Sequence, residues 1–159
     1  MNGHFTAGFS ACAFFLFSSL AIAAGPRTFS DRHACAVDAA GYLDGRLEIW
    51  QQRLKLSDWK ISIMMSRRSE LKPNTLGHIR WDSTDKTAVI RVLDASEYDM
   101  PCRDMLADME FTVVHELIHL EISSLPRSEA SRRDEEFAVN RIAAALLDLD
   151  RQQTASPAR

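Results

Sequence analysis

Two histidines and a glutamate stand close together in the stretch FTVVHELIHL, Phe111 to Leu120. On an α-helix, residues four apart share one face at about 5–6 Å, so His115 and His119 can direct both imidazoles at one ion. Imidazole nitrogen binds Zn²⁺ at about 2.0–2.1 Å. Glu116 lies about 100° further round the helix, where it cannot coordinate comfortably but can reach a water at the metal and take its proton. The spacing therefore indicates attack of water on a carbonyl group, assisted by one Zn²⁺ ion.

The helix that carries these three residues is apolar on nearly all sides. Its apolar residues are Phe111, Val113, Val114, Leu117, Ile118, Leu120 and Ile122. Such a helix is buried centrally, and polar side chains there cost free energy unless they have partners. The alternative is a pair of core histidines bonded to backbone carbonyls. We favour the metal site, since it gives the polar residues their partners.

A catalytic zinc normally has three protein ligands and one open position. No histidine follows His119, so a carboxylate from a later element is the natural third ligand. Glu136 is followed four residues later by Asn140, which can hydrogen-bond a ligand histidine, whereas Glu135 is followed by Val139. Glu135, however, lies nearer the centre of an apolar stripe. That stripe is formed by Val139, Ile142, Leu146 and Leu149. We predict Glu136 as the ligand and keep Glu135 as the alternative; either can also be a solvated first-turn carboxylate stabilised by the helix dipole.

Hydrophobic periodicity predicts three helices and three strands. The predicted helices lie at about 34–54, 107–123 and 135–151, and the strands lie in 57–67, 76–81 and 87–93. Gly41 and Gly45 either weaken the first helix or allow close packing. Because short turns join the strands, we expect an α+β domain with a largely antiparallel three-stranded sheet and helices on one face.

The chain at this point resembles the gluzincin metallopeptidases, and its size and order of elements resemble the small, single-domain minigluzincins. The resemblance rests on HELIH, on the seventeen residues from His119 to Glu136 on a following helix, and on Asn140, where the family often has Asp. It covers about residues 34–150. It implies a zincin-like fold: a backing helix, a three-stranded sheet, an active-site helix and a glutamate helix that supplies the third zinc ligand. It also implies that the last strand, Thr87–Asp94, lines the cleft and binds a peptide by strand addition; the alternative is a plain sheet strand.

The first 24 residues differ in kind from the rest. An uncharged apolar run, 11–24, ends in small residues that fit a signal-peptidase site after Ala23 or Ala24. We expect a cleaved export signal at 1–24 and one domain at 25–159, in the periplasm or secreted; an uncleaved anchor is the alternative. Cleavage leaves Cys35 and Cys102, a candidate disulfide pair in an oxidising compartment, or two buried free thiols.

Charge and composition exclude one class of partner and leave the substrate open. The net charge is −3 and no basic cluster interleaves with aromatics, so we expect no nucleic-acid binding and a soluble, monomeric mature chain. His78 and Tyr98 are weaker candidates for hydrogen-bonding an oxyanion, and for each we favour a plain surface or turn position over that role. The sequence thus predicts an exported zinc metallopeptidase with Glu116 as general base. The alternatives are a non-catalytic zinc-stabilised binding protein and a zinc amidase acting on cell-wall material.

Overall fold

Three helices and one three-stranded sheet make up the part of the chain that the computed structural model describes, residues 29–126 and 128–155, without the side chains of 29–38, 129 and 130. In chain order the elements are α1 (Phe29–Arg53), β1 (Lys60–Ser66), β2 (Gly77–Asp82), β3 (Thr87–Leu93), α2 (Cys102–Glu121) and α3 (Glu129–Ala155). The predicted α+β class and the order of elements are confirmed.

The sheet is mixed, so the prediction of a largely antiparallel sheet is wrong for one of its two pairings. The strand order is β1–β3–β2, with β3 parallel to β1 and antiparallel to β2. The predicted hairpin of β2 and β3 is confirmed. After β1, the connection of residues 67–76 leads to β2, which lies one strand position away from β1 and not beside it. The next strand, β3, occupies the position between them. Parallel pairing requires such a crossover.

Strand β3 is central, and this overturns the prediction that 87–94 binds a peptide by strand addition. Both edges of β3 are hydrogen-bonded to neighbouring strands, and Ala88, Ile90 and Val92 are buried. Within the described residues, β2 pairs with β3 alone. Because the Leu93 N–H donates to the Leu76 carbonyl at 2.8 Å, the antiparallel alternation directs the main-chain groups of Gly77, Ile79 and Trp81 away from β3.

Helix α2 lies at the centre of the fold, as its apolar surroundings predicted. It packs against α1, α3, β2 and β3, and for this reason it is buried on most sides. From α1 the core receives Ala39, Leu43, Leu47 and Trp50, and from α3 it receives Val139, Ala143 and Leu147. Ile142 and Leu149, placed in the buried stripe by sequence, are 47% and 53% exposed. The face of α3 that packs into the core is therefore different from the predicted face: it contains Ala143 and Leu147 in place of Ile142 and Leu149.

Helices α2 and α3 each begin earlier than predicted. Helix α2 starts at Cys102, directly after Pro101, a residue that helices tolerate at their beginning because its missing N–H is not needed there. Helix α3 starts at Glu129, and the Ser128 hydroxyl accepts the Ser131 N–H at 3.2 Å, as an N-cap does. The sequence here is polar, which led to a loop prediction, although it has a cap and good helix formers.

A buried polar network joins the three helices on the side away from HELIH. Glu110 of α2 accepts the Tyr42 hydroxyl at 2.6 Å, Arg46 Nε at 2.5 Å and Trp50 Nε1 at 2.8 Å. Burial, followed by this hydrogen bond to Glu110, raises the pKa of Tyr42 to about 12. Arg46 also binds Asp150 of α3. Burial alone would raise the pKa of Asp150, but the arginines that face it hold it below its usual value.

Gly77 is required where β2 meets α2, whereas Gly45 is not required in α1. A Cβ on Gly77 would lie 2.5 Å from Thr112 Cγ2 and 2.6 Å from the Arg91 carbonyl oxygen, and none of the described atoms lies within 4 Å of a Cβ on Gly45. We expect Gly77→Ala to lower the free energy of unfolding by about 1–3 kcal/mol and Gly45→Ala to raise it by about 0.5–1 kcal/mol. Urea denaturation measures both. Equal effects of the two substitutions would contradict this packing.

Three sequence predictions fall outside the described residues. The export signal at 1–24 and the side chain of Cys35 lie outside the described part of the chain. Export and a Cys35–Cys102 disulfide therefore stay predictions, as does the extent of the domain, 25–159. In the part that is described, no helix has the length and apolar character that crossing a membrane requires.

Candidate metal centre

The two histidines of HELIH converge on one point beside α2. Their Nε2 atoms are 3.0 Å apart, and their rings meet edge to face with centroids 4.7 Å apart. Both rings are largely buried, with side-chain exposures of 15% for His115 and 11% for His119. The four-residue spacing on one helix face produces this convergence, as predicted.

Helix α3 brings the Glu136 carboxylate to the same point. Glu136 Oε2 lies 3.4 Å from His115 Nε2, and Oε1 lies 3.3 Å from His119 Nε2. Zinc bound to three such atoms at about 2.0–2.1 Å in a tetrahedron would hold them roughly 3.3 Å apart. The three side chains therefore fit a zinc ion without rearrangement of the backbone, and they are the group in the described residues that could hold a metal.

Each imidazole has a hydrogen-bond acceptor behind it, on its other nitrogen. His115 Nδ1 lies 3.1 Å from Asn140 Oδ1, and His119 Nδ1 lies 2.9 Å from Glu135 Oε1. Glu135 is thus placed behind His119, while Glu136 faces the Nε2 atoms. The contact of Asn140 with a histidine was expected from its spacing. The contact of Glu135 was not expected, because the sequence suggested only an alternative ligand or a solvated carboxylate at that position. The signal available in the sequence was a second carboxylate beside Glu136.

These contacts leave three electron-pair donors facing one another. Oxygen acceptors at both Nδ1 atoms fix the proton of each neutral imidazole there, so each Nε2 presents a lone pair. Burial, and then the neighbouring His119, lower the pKa of His115, which favours its neutral form. Two lone pairs 3.0 Å apart, with a carboxylate beside them, repel unless a positive charge lies between them. The arrangement suits a cation at the point where the three side chains meet.

Glu116 lies next to this group and is itself buried, with only 7% of the residue exposed. Burial, and then the negative charge of Glu136, raise the pKa of Glu116 to about 7. The Ile79 backbone N–H donates to the carboxylate and, with the charge of Lys72, opposes that rise. A carboxylate with a pKa near neutrality suits a general base. The free edge of β2 therefore meets the candidate base directly.

An open cleft of about 600 Å³ surrounds the group. Its walls are β2 with the preceding loop, the exposed face of α2, and the first turns of α3; they include Leu76, Ile79, Phe111, Thr112 and Arg132. The volume lies in the range that ligand pockets of proteins occupy. The cleft can therefore admit a segment of substrate alongside the candidate metal centre.

Of the two weaker candidates, His78 lines the cleft and Tyr98 does not. Alternation along β2 directs His78 to the face opposite Gly77, which faces α2; His78 reaches the cleft wall, but its Nδ1 is buried without a hydrogen-bond partner. Burial, followed by the charges of Arg80 and Arg91, lowers its pKa. The Tyr98 hydroxyl is buried too. Neither belongs to the three side chains that converge at the candidate ion site.

Comparison of the chain with protein-family models, with curated proteins and with solved structures finds no match in any of the three. The resemblance to gluzincins thus rests on HELIH and the residues that follow it.

Proposed function

We propose that this protein is a zinc-dependent metallohydrolase, and that its substrate is a peptide. The observation that carries the proposal is the convergence of His115 Nε2, His119 Nε2 and a Glu136 oxygen within 4.8 Å of one another. Their other nitrogens are held by acceptors, which leaves lone pairs directed at one point. A buried carboxylate, Glu116, adjoins that point in an open cleft, and this combination favours hydrolysis over a purely structural ion.

In this proposal each residue has one task. His115, His119 and Glu136 hold the ion, while Asn140 and Glu135 orient the two imidazoles and keep them in the tautomer that binds metal. Zinc supplies Lewis-acid chemistry, polarising a carbonyl and making water a nucleophile at neutral pH. The Glu116 carboxylate accepts a proton from the attacking water and returns it to the leaving nitrogen.

The edge of β2 is the surface on which we propose that a peptide lies. Its outward main-chain groups run beside α2, and one of them, the Ile79 N–H, already reaches Glu116. An extended peptide that adds to a sheet edge gains main-chain hydrogen bonds regardless of its side chains. This replaces Thr87–Asp94, whose edges are both paired.

Removal of the candidate ligands, one at a time, tests the ion site. We expect Glu136→Ala to weaken zinc binding by more than about 100-fold, because it removes a donor atom, and Glu135→Gln to weaken it by about 10–100-fold, because it only perturbs an imidazole. Competition with a chromophoric chelator measures both affinities. Asp134→Ala, an exposed carboxylate on the same turn of α3, is the matched control and should bind as the unaltered chain does. If Glu135→Gln lost zinc and Glu136→Ala kept it, Glu135 would be the zinc ligand and Glu136 would not.

Substrate trials decide between the enzyme and its rivals. Because we expect the chain to be exported, the trials should include unfolded proteins, peptide libraries and cell-wall peptides. Zinc-dependent cleavage of proteins or peptides supports a peptidase, and cleavage confined to cell-wall amides supports the amidase. One bound zinc without hydrolysis of any of them would support the non-catalytic binding protein.

A further inference from the structure

Asp108 stands in the same cleft, two helical turns away from the candidate metal centre. It precedes His115 by seven residues on α2, which places both on nearly the same helix face and about 10 Å apart along the axis. Both residues line the cleft. Nothing in the proposed hydrolysis requires a carboxylate at that distance, so its presence there calls for another role.

Among the described residues, no Lys or Arg forms an ion pair with Asp108, in contrast to the acidic groups that join the helices. Glu110 and Asp150 each contact an arginine, but Asp108 takes part in none of the ion pairs of the described residues. Asp108 is half-buried, and the neutral hydroxyl of Tyr98 lies beside its carboxylate. A hydroxyl does not compensate the charge of a partly buried carboxylate. A cationic ligand in the cleft would compensate that charge.

Tyr98 closes the side of Asp108 that faces away from the cleft. Burial, and then the Asp108 charge, raise the pKa of Tyr98, so its hydroxyl stays protonated beside the carboxylate. A side-chain hydrogen bond between this hydroxyl and the Asp108 carboxylate contributes to the same rise in pKa. Arg68 is near enough to act on Tyr98 in the opposite direction, yet it forms no ion pair with Asp108. Because Asp108 lines the cleft and Tyr98 does not, a ligand in the cleft can reach the carboxylate.

We propose that Asp108 selects substrates with a positively charged group, and that this group is a lysine or arginine side chain next to the scissile bond. The inference rests on the proposed function. An extended side chain of five or six bonds of about 1.5 Å each spans most of the roughly 10 Å between the hydrolytic centre and Asp108. Phe111, one helical turn before His115, lines the wall between them, and its ring suits the apolar stem of such a side chain.

The test compares the zinc-loaded chain with two isosteric variants on N-acetylated peptides that differ only in the residues flanking the cleaved bond. We expect kcat/KM to be about 10- to 100-fold higher for lysine or arginine than for glutamine at one flanking position, as for a hydrogen-bonded charge. Asp108→Asn should bring that ratio close to one, mainly by lowering kcat/KM for the basic peptides. Asp104→Asn, one turn earlier on α2 and outside the cleft, should retain it. A ratio that Asp108→Asn leaves unchanged, or no ratio at all, overturns the proposal.

Binding measurements separate this inference from the proposed function. The Kd of the same peptides for Glu116→Gln, measured by fluorescence anisotropy, needs no hydrolysis. Asp108-dependent binding of basic peptides without cleavage by any variant would refute the peptidase and support the Asp108 site. Cleavage without a preference for basic peptides would support the peptidase and refute the Asp108 site. If the peptides are neither bound nor cleaved, both proposals are overturned. If only unacetylated peptides depend on Asp108, the cation is the α-amine and the proposed side-chain source is wrong.

Discussion

Replacing Glu116 by glutamine is expected to lower kcat for peptide hydrolysis by about 10²–10⁴-fold, the usual contribution of a general base. Glutamine has the shape of glutamate but cannot take a proton from water. Glu116 is buried beside the candidate ion site, and the two other carboxylates there, Glu135 and Glu136, are engaged with the imidazoles. Initial rates on a peptide that the unaltered chain cleaves, at matched zinc occupancy, measure the change.

Zinc content is the control for this substitution. Glu116 is not one of the three residues that converge on the ion site, so we expect the variant to keep its zinc. Its fold should also hold, since a neutral amide is easier to bury than a carboxylate. Hydrolysis that survives in Glu116→Gln would remove Glu116 from the mechanism. Loss of zinc would instead make Glu116 part of the ion site.

The centre of the site could be predicted from the sequence because its signals are local. HELIH places both imidazoles by helix geometry alone, and the apolar residues around it predict that α2 is buried centrally. The choice of Glu136 used another local signal, the spacing to Asn140, and the structure brings Asn140 to His115 at 3.1 Å. Each of these inferences uses only the spacing of residues within one helix. The packing of α3 against α2, which brings Asn140 to His115, is a tertiary contact that such spacing does not determine.

The parts that failed depend on arrangement across the whole chain. Periodicity identifies β3 as a strand but carries no information on which strands flank it, so the parallel pairing with β1 was missed. The inward face of α3 was misjudged because Ile142 and Leu149 are more apolar than Ala143, which is the buried residue. A small residue can lie where helices approach closely, and hydropathy does not reveal that approach. Asp108 shows the same limit: its place in the cleft depends on β2, which is distant in sequence.

The polar network behind α2 resists sequence prediction for a similar reason, since its members come from three helices. Glu110 and Trp50 are 60 residues apart, and Arg46 and Asp150 are 104 apart. The network matters for the site because Glu110 is five residues before His115 on the same helix. The network holds α2 against α1 on one side of the helix. On the opposite side, β2 and the first turns of α3 form the cleft with α2. Positioning of the imidazoles thus depends on a buried carboxylate that takes no part in the chemistry.

Glu110→Ala is expected to lower the free energy of unfolding by about 3–5 kcal/mol, because it breaks a buried ion pair and leaves two buried donors without an acceptor. Arg46 would keep Asp150, but the Trp50 N–H and the Tyr42 hydroxyl would both lose their acceptor. Urea denaturation measures the loss, and Glu121→Ala, an exposed carboxylate at the end of α2, should stay within about 0.5 kcal/mol of the unaltered chain. Similar losses in both variants would mean that α2 is not anchored through Glu110. Weaker zinc binding in Glu110→Ala at temperatures where it remains folded would show that this anchor also sets the ligand geometry.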